Sequence, residues 1–286
     1  MSDPDLHPHN SLAPEPIRHR LLTDTIGAVV KEPKEALLDG RHSGAIRTLL
    51  EERGVLVFPK VNFSHDEHVA FTSTLGEYVS DYADGAATDI SIDPAGGSTA
   101  RYTEASFFWH FDGYMNTVPI LGSIMCCVRP SAQGGDTQFC NTYAAWEALP
   151  DDRKAMIEGL YAVHSLAGAQ LSVEPEPSYA TFQEWRQIAH NSLPLVWTHR
   201  SGRKSLVIGN TATNVVGMDP LDGLDLLTYL RDWATQDRFC LSHSWAEGDA
   251  VLWDNTGTLH RATPYARESN RLMRRTKLAG EEPFSA

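Results

Sequence analysis

Apolar positions along the chain fall into two textures. Up to about residue 79 they recur at helical spacing. Leu37, Leu38, Ala45, Ile46, Leu49 and Leu50 predict a helix over 34–52, weakened in its middle by the Gly40–Gly44 stretch. Gly54 and the apolar run VLVF predict a short strand at 55–58. Ser64, with Glu67 three residues on, has the capping-box pattern and opens a second helix through about residue 79. The segment 80–105, rich in Gly, Ala, Asp and Ser, reads as a long loop.

From residue 106 short apolar runs alternate with turns. Strands are expected at 106–112, 120–128, 136–140, 160–166, 193–199, 205–209, 249–253 and 271–278. Helices are expected near 143–159 and in DPLDGLDLLTYLRDWATQ, where Leu226, Leu227, Leu230 and Trp233 share one face. The stretch 172–190 carries prolines and aromatics without clear periodicity and could form a lid. Many short strands with flanking helices point to a mainly β fold built on a sandwich or barrel core. There is no internal repeat, no GxGxxG and no P-loop.

Composition narrows the class. The 286 residues are 42% hydrophobic and 21% charged, which fits a single domain over 19–286 behind a flexible arm at 1–18. The two histidines of the arm, His7 and His9, are expected to be solvated. A formal charge of −13 disfavours nucleic-acid and anionic membrane partners, so an anionic ligand must be held by a few well-placed arginines. Four cysteines without CxxC spacing fit a reducing cytoplasm. The N-terminus lacks a signal pattern, and no apolar run is long enough to span a bilayer. A homo-oligomer stays open.

Candidate chemistry begins in FFWHFDGYMNTVP. On a strand His110 and Asp112 would point to the same side and converge on one point. A lone HxD is more often a hydrogen-bonded structural pair than a metal site. His260 changes the odds, because it follows a strand (AVLW) and a polar turn (DNTG) that return the chain to the sheet. Two histidines and one carboxylate with open positions suit non-heme Fe(II), and zinc stays open. His42, His65, His68, His190 and His199 are expected on the surface or rim. In NRLMRRTKLAG, Arg271, Met273 and Arg275 would share a strand face, the two guanidiniums about 13 Å apart. Such a pair can hold two different anions in one cavity. Arg274 and Lys277 are expected to be solvated. Gly134 and Gly135 can make a tight turn, after which Thr137 and Phe139 share a face.

WHFD at 109–112, GGDT at 134–137, WDN at 253–255, and His260 followed by Arg271 and Arg275 together resemble the taurine dioxygenase and chlorophenoxyacetate dioxygenase family of Fe(II)/2-oxoglutarate enzymes. GVLVF at 54–58 and GDAVLWDN at 248–255 are similar to the same family, and the resemblance runs from about residue 20 to 280. It implies a double-stranded β-helix (jelly-roll) core with helices outside. It implies that His110, Asp112 and His260 ligate Fe(II), that Arg271 with Thr137 binds the distal carboxylate of 2-oxoglutarate, and that Arg275 holds an anionic group of the primary substrate. The implied reaction consumes O2 and 2-oxoglutarate, releases succinate and CO2, and hydroxylates a small carboxylate or sulfonate, with C–O, C–N or C–S cleavage where the product collapses. An aspartate at position 112 disfavours halogenation.

The sequence departs from the taurine enzyme at Ser106, where that enzyme carries an amide, and in SLAGAQL after His164, which lacks an aromatic. A pocket of Ser106, Phe107, Tyr114, Ala169 and Gln170 would suit a larger, partly apolar acid. Alternatives are the same cofactor chemistry giving desaturation or hydroxylation of an amino-acid-derived or carrier-bound substrate. A Zn/Mn cupin-like isomerase or hydrolase, or a non-catalytic jelly-roll binding module, belongs to another class.

Overall fold

The computed structural model describes residues 16–83, 85–92, 100–188 and 190–286. Most of the expected N-terminal arm, with His7 and His9, and part of the 80–105 loop lie outside the described residues. The first elements are β1 (His19–Leu21), β2 (Ala28–Val30), α1 (Lys34–Leu38), α2 (Ser43–Arg53), β3 (Val55–Phe58) and α3 (His65–Leu75). The single helix expected over 34–52 is thus two. Gly40 sits between them with φ at 77°, a left-handed conformation that an α-helix cannot continue through. The capping box of α3 forms as expected: the Glu67 amide donates to Ser64 Oγ at 3.2 Å, and the Ser64 amide donates to Glu67 Oε2 at 2.8 Å. α3 ends at Leu75 rather than near 79, because Gly76 takes extended backbone and the chain enters β4 (Tyr78–Val79).

The expected loop carries β5 (Thr88–Ile90) and α4 (Ala100–Thr103). The strand expected over 106–112 does not form. Residues Glu104–Phe107 make a 3₁₀ turn, and only His110 pairs, as an isolated antiparallel bridge to His260. Next come β6 (Gly122–Arg129), β7 (Thr137–Asn141), α5 (Thr142–Glu147) and α6 (Asp151–Ile157), the last two separated at Pro150. Then follow β8 (Tyr161–Ser165), α7 (Leu166–Leu171), α8 (Tyr179–Gln187), β9 (His190–Pro194), β10 (Val196–Thr198), β11 (Lys204–Leu206) and β12 (Ala212–Val215). The run expected as one strand over 193–199 changes partners midway: β9 pairs with β8, β10 with β11. The chain closes with α9 (Pro220–Ala234), β13 (Cys240–His243), β14 (Ala250–Asp254), β15 (Thr258–Ala262) and β16 (Leu272–Leu278).

The largest sheet runs β1-β2-β3-β14-β6-β16-β4, with β5 beside β16. A second sheet runs β13-β7-β15. β14 lies at the centre of the first and is buried on both faces. Ala250 and Leu252 pack with α2 and α3 residues such as Leu49, Leu50 and Phe71, while Val251 and Trp253 pack against Phe139 of β7. The helical layer therefore covers one face of the large sheet and the β7 sheet covers part of the other, an arrangement consistent with a jelly-roll core. A further apolar cluster joins α5, α9 and β8 to β12 behind Phe111.

Three histidines expected at the surface are inside: His42, His68 and His199 are 5%, 0% and 5% exposed. His68 lies on the inner face of α3 with Phe71 and Leu75, its Nε2 bonded to Thr276 Oγ1 at 2.9 Å. The polar residues around it in sequence lie on the other face of the helix. Burial pushes His68 down to about 3 and the buried His164 down to about 4. Between those values and the ordinary 6.5, the unfolded chain takes up protons that the folded protein refuses. Stability is therefore complete above about pH 6.5 and falls toward about pH 4, by about 1.4 kcal/mol per pH unit for each of the two rings. The urea midpoint is expected to drop steadily across that window, and less steeply in His68→Gln; an identical slope in the variant would refute the assignment.

Candidate active site

The bridge between His110 and His260 sets the site. The His110 amide donates to the His260 carbonyl at 3.0 Å, and the His260 amide returns the bond at 2.8 Å, which places the two rings 4.1 Å apart. Asp112 stands between their Nε2 atoms, with Oδ1 4.0 Å from His110 and Oδ2 3.9 Å from His260. One ligand atom from each residue lies within 4.8 Å of the others, so the three could hold a metal ion. The convergence predicted from a strand arises instead from one bridge and the turn after it.

Each of the three is held from behind. His110 Nδ1 lies 2.8 Å from the Phe108 carbonyl, which can only accept, so Nδ1 donates and Nε2 is the nitrogen turned toward Asp112. His260 packs against Trp253 at 4.9 Å and over Phe139, the β7 residue that shares a face with Thr137. Asp112 is clamped by Asn255, whose Oδ1 accepts from the Asp112 amide and whose Nδ2 donates to the Asp112 carbonyl, both at 2.8 Å. Nδ2 also reaches the Ile120 carbonyl at 3.2 Å. Asn255 belongs to the WDN run, but its spacing gave no hint of this role.

Electrostatics leaves the ligands ready for a cation. Burial alone would raise the Asp112 carboxyl, but Arg275, His260 and His110 outweigh it and hold it at about 2. Burial, then His110 and Arg275, push His260 down to about 3 against the pull of Asp112. At neutral pH a carboxylate and an uncharged imidazole face the site, and a metal displaces no proton from either. This donor set, two imidazole nitrogens and one carboxylate, fits Fe(II).

The triad opens on a cavity of about 700 Å³, whose wall includes Ser106, Tyr114, Met125, Thr137, Ala169, Arg271 and Arg275. Arg271 is 4% exposed, precedes β16, and has no carboxylate within ion-pair distance among the described residues. Its Nε is buried without a partner, and its other contacts are the Tyr265 ring, 4.7 Å away, and a long 3.4 Å bond to the Tyr265 hydroxyl. A guanidinium this buried calls for an anion. The double glycine makes room for it: at Gly135, φ 77°, an added Cβ would stand 3.0 Å from Arg271 Cδ, and at Gly134 it would stand 2.1 Å from the Pro264 carbonyl oxygen.

Arg275 also lines the cavity, and it donates from Nη1 to Asp112 Oδ2 at 3.0 Å. The two arginines expected on one regular strand face are offset by a register shift between Leu272 and Met273, yet both reach the cavity. Arg274 and Lys277, expected to be solvated, are ion-paired with Asp89 and Asp81.

Of the expected pocket residues, Ser106, Tyr114 and Ala169 line the cavity, while Phe107 and Gln170 do not. Residues 169 and 170 are consecutive on α7, so their side chains diverge by about 100°, and Gln170 is buried away from the cavity. Phe107, in a 3₁₀ turn, meets the cavity only through Tyr265, edge-on at 5.7 Å. Burial raises the Tyr114 hydroxyl to about 12, so it stays protonated. Within the stretch considered as a lid, no described residue lines the cavity. It forms α8, and Glu184 on that helix accepts a bond from the cavity residue Tyr102 at 3.2 Å.

The family model "Taurine catabolism dioxygenase TauD, TfdA family" matches residues 18–277. An (S)-phenoxypropionate/alpha-ketoglutarate-dioxygenase of Sphingobium herbicidovorans is 32% identical, over 91% of this chain and 94% of that protein. An alpha-ketoglutarate-dependent 2,4-dichlorophenoxyacetate dioxygenase of Cupriavidus pinatubonensis is 33% identical, over 80% and 86%. The crystal structure of AAD-2 in complex with Mn(II) and N-oxalylglycine superposes with a TM-score of 0.80 at 28% identity, covering 94% of this chain and 99% of that one. The protein is a 2-oxoglutarate-dependent non-heme iron dioxygenase that uses Fe(II), 2-oxoglutarate and O2. It belongs to the TauD/TfdA family.

Removing the backbone clamp tests how the site is held. Asn255→Ala is expected to weaken Mn(II) binding about 10- to 100-fold in a direct titration, the range seen when groups behind metal ligands are lost. Unchanged affinity would mean that Asp112 holds its place without Asn255.

Proposed function

We propose that the enzyme hydroxylates a small carboxylate, sulfonate or sulfate ester with a partly apolar body, on a double-stranded β-helix scaffold. His110, Asp112 and His260 hold the iron, Arg271 with Thr137 holds the distal carboxylate of 2-oxoglutarate, and Arg275 holds the anionic group of the primary substrate. The observation that carries this reading is the buried Arg271 guanidinium, without a carboxylate partner among the described residues, sharing one cavity with the two-histidine, one-carboxylate cluster. A hydrolase, an isomerase or a binding module would have no use for that second anion site.

When bound, the iron couples oxidative decarboxylation of 2-oxoglutarate to hydroxylation of a substrate C–H bond. The chain's own residues decide which bond that is. Arg271 anchors one end of the co-substrate so that its 2-oxo-acid end faces the triad. Arg275 keeps Asp112 ionised through its Nη1, and its buried Nε, without a partner, is a spare donor for the substrate anion. The remaining wall, with Ile90, Tyr114, Met115, Met125 and Ala169, is apolar enough to exclude water from an alkyl or aryl body. Where the hydroxylated carbon bears an ether or sulfate oxygen, the hemiacetal-type product collapses by C–O cleavage to a carbonyl compound and an alcohol, phenol or sulfate. Relatives named for phenoxypropionate, dichlorophenoxyacetate and sulfate esters support this substrate class.

Phenoxy acids, alkyl sulfates and alkyl sulfonates are expected to stimulate succinate release above the substrate-free rate, and taurine least of these. Stimulation by none of the anionic compounds would refute the substrate class. Arg271→Ala is expected to raise the KM for 2-oxoglutarate about tenfold or more, while Arg275→Ala raises chiefly that of the primary substrate. Equal effects of both on 2-oxoglutarate alone would contradict this division.

A further inference from the structure

Thr137 does something unusual for a buried threonine. Buried hydroxyls commonly donate to a nearby backbone carbonyl, yet Thr137, 5% exposed on the cavity wall, has one side-chain partner among the described residues, and that partner is a donor. The indole Nε1 of Trp245 donates to Thr137 Oγ1 at 3.0 Å. An indole N–H has no acceptor capacity, so it occupies a lone pair of the threonine oxygen and leaves the hydroxyl proton for another partner. The hydroxyl and Arg271 border the same cavity.

We propose that Trp245 is a positioning residue for the co-substrate: its indole N–H turns the Thr137 hydroxyl proton into the cavity, where it donates to the carboxylate held by Arg271. This rests on the assignment of Arg271 and Thr137 to the distal carboxylate of 2-oxoglutarate. Accepting the indole hydrogen bond also polarises the threonine O–H and strengthens it as a donor. The tryptophan is placed by the sheet. His243 of β13 pairs with Thr137 of β7, and Trp245, two residues on, folds back over that end of the pair. Its ring stands edge-on to His243 at 4.7 Å and packs against the core beneath Val251 and Trp253. The His243 ring is in turn held near Asp249, 3.3 Å away, whose carboxylate also accepts from the amides of Lys60 and Ala246. The hydrogen bond to Thr137 is thus made by a ring with its own supports.

The test is a binding cycle on the full-length protein loaded with Mn(II) without oxygen, read by calorimetry. The probes are 2-oxoglutarate and 2-oxobutyrate, which presents the same 2-oxo-acid group but no distal carboxylate. Trp245→Phe is expected to weaken 2-oxoglutarate about tenfold and to leave Mn(II) and 2-oxobutyrate unchanged. Thr137→Val should cost about as much, and the double variant no more than Thr137→Val alone, because the tryptophan acts only through the threonine. Benzothienylalanine at position 245, which replaces the N–H by sulfur in a ring of the same shape, should reproduce the loss and covers the case in which the phenylalanine variant does not fold. Full 2-oxoglutarate affinity in the benzothienyl protein, additive losses in the double variant, or equal losses for both oxo acids would each overturn the proposal. Arg271→Ala separates the levels: if it leaves 2-oxoglutarate binding intact, the carboxylate assignment itself fails. If only Arg271→Ala and Thr137→Val weaken binding, that assignment stands and the role of Trp245 falls.

Discussion

Two hydrogen bonds between His110 and His260 are the constraint on which the site depends. The segment carrying His110 makes no regular strand, and this bridge is its pairing to the β15 strand. The bridge fixes the height of one imidazole against the other, and the Asn255 clamp then fixes where the chain must leave after Asp112. Gly209 and Asn210 support the same segment from outside. The Asn210 amide donates to the Trp109 carbonyl at 2.8 Å, and an added Cβ at Gly209 would come within 3.0 Å of that oxygen. The candidate metal-binding residues are therefore each tied down by hydrogen bonds although the backbone that carries them is irregular.

Charge follows the same economy. The chain carries a formal −13, yet two arginines stand in the cavity wall, one paired with Asp112 and one with no carboxylate beside it among the described residues. The first offsets the Asp112 carboxylate and helps to hold it ionised. The second is a buried cation on the cavity wall, which an acidic protein achieves only through local placement, since its overall field repels anions. The neighbouring basic residues Arg274 and Lys277 are taken up by Asp89 and Asp81.

Much of the large sheet was legible, because β3, β6 and β14 are largely apolar runs whose alternate residues meet two different cores, and β16 interleaves its basic residues with Met273, Thr276 and Leu278. The broken elements were harder to place. Gly40 splits a helix and Leu195 separates two strands with different partners, and periodicity averages over single residues of this kind. The buried His42, His68 and His199 look like surface residues because burial depends on which face of a short helix or turn meets the core. In the pocket, Ser106, Tyr114 and Ala169 were legible as wall residues, whereas Phe107 and Gln170 do not line it, because each follows a wall residue in the same helical turn and its side chain diverges from that neighbour.

The identities of the chemical groups were carried by the chain itself: two histidines, an aspartate, a threonine and two arginines, with glycines where the backbone must pass close to Arg271. Residue type and spacing suffice for that, since a ligand atom or a guanidinium belongs to its side chain wherever the chain goes. Folding alone assigned their partners. Arg275 meets Asp112, Asn255 grips the Asp112 backbone, and Trp245 takes the lone pair of Thr137, each across a long stretch of sequence. Hydrogen bonds are specific to distances of a few tenths of an ångström, and no linear pattern encodes distance at that scale.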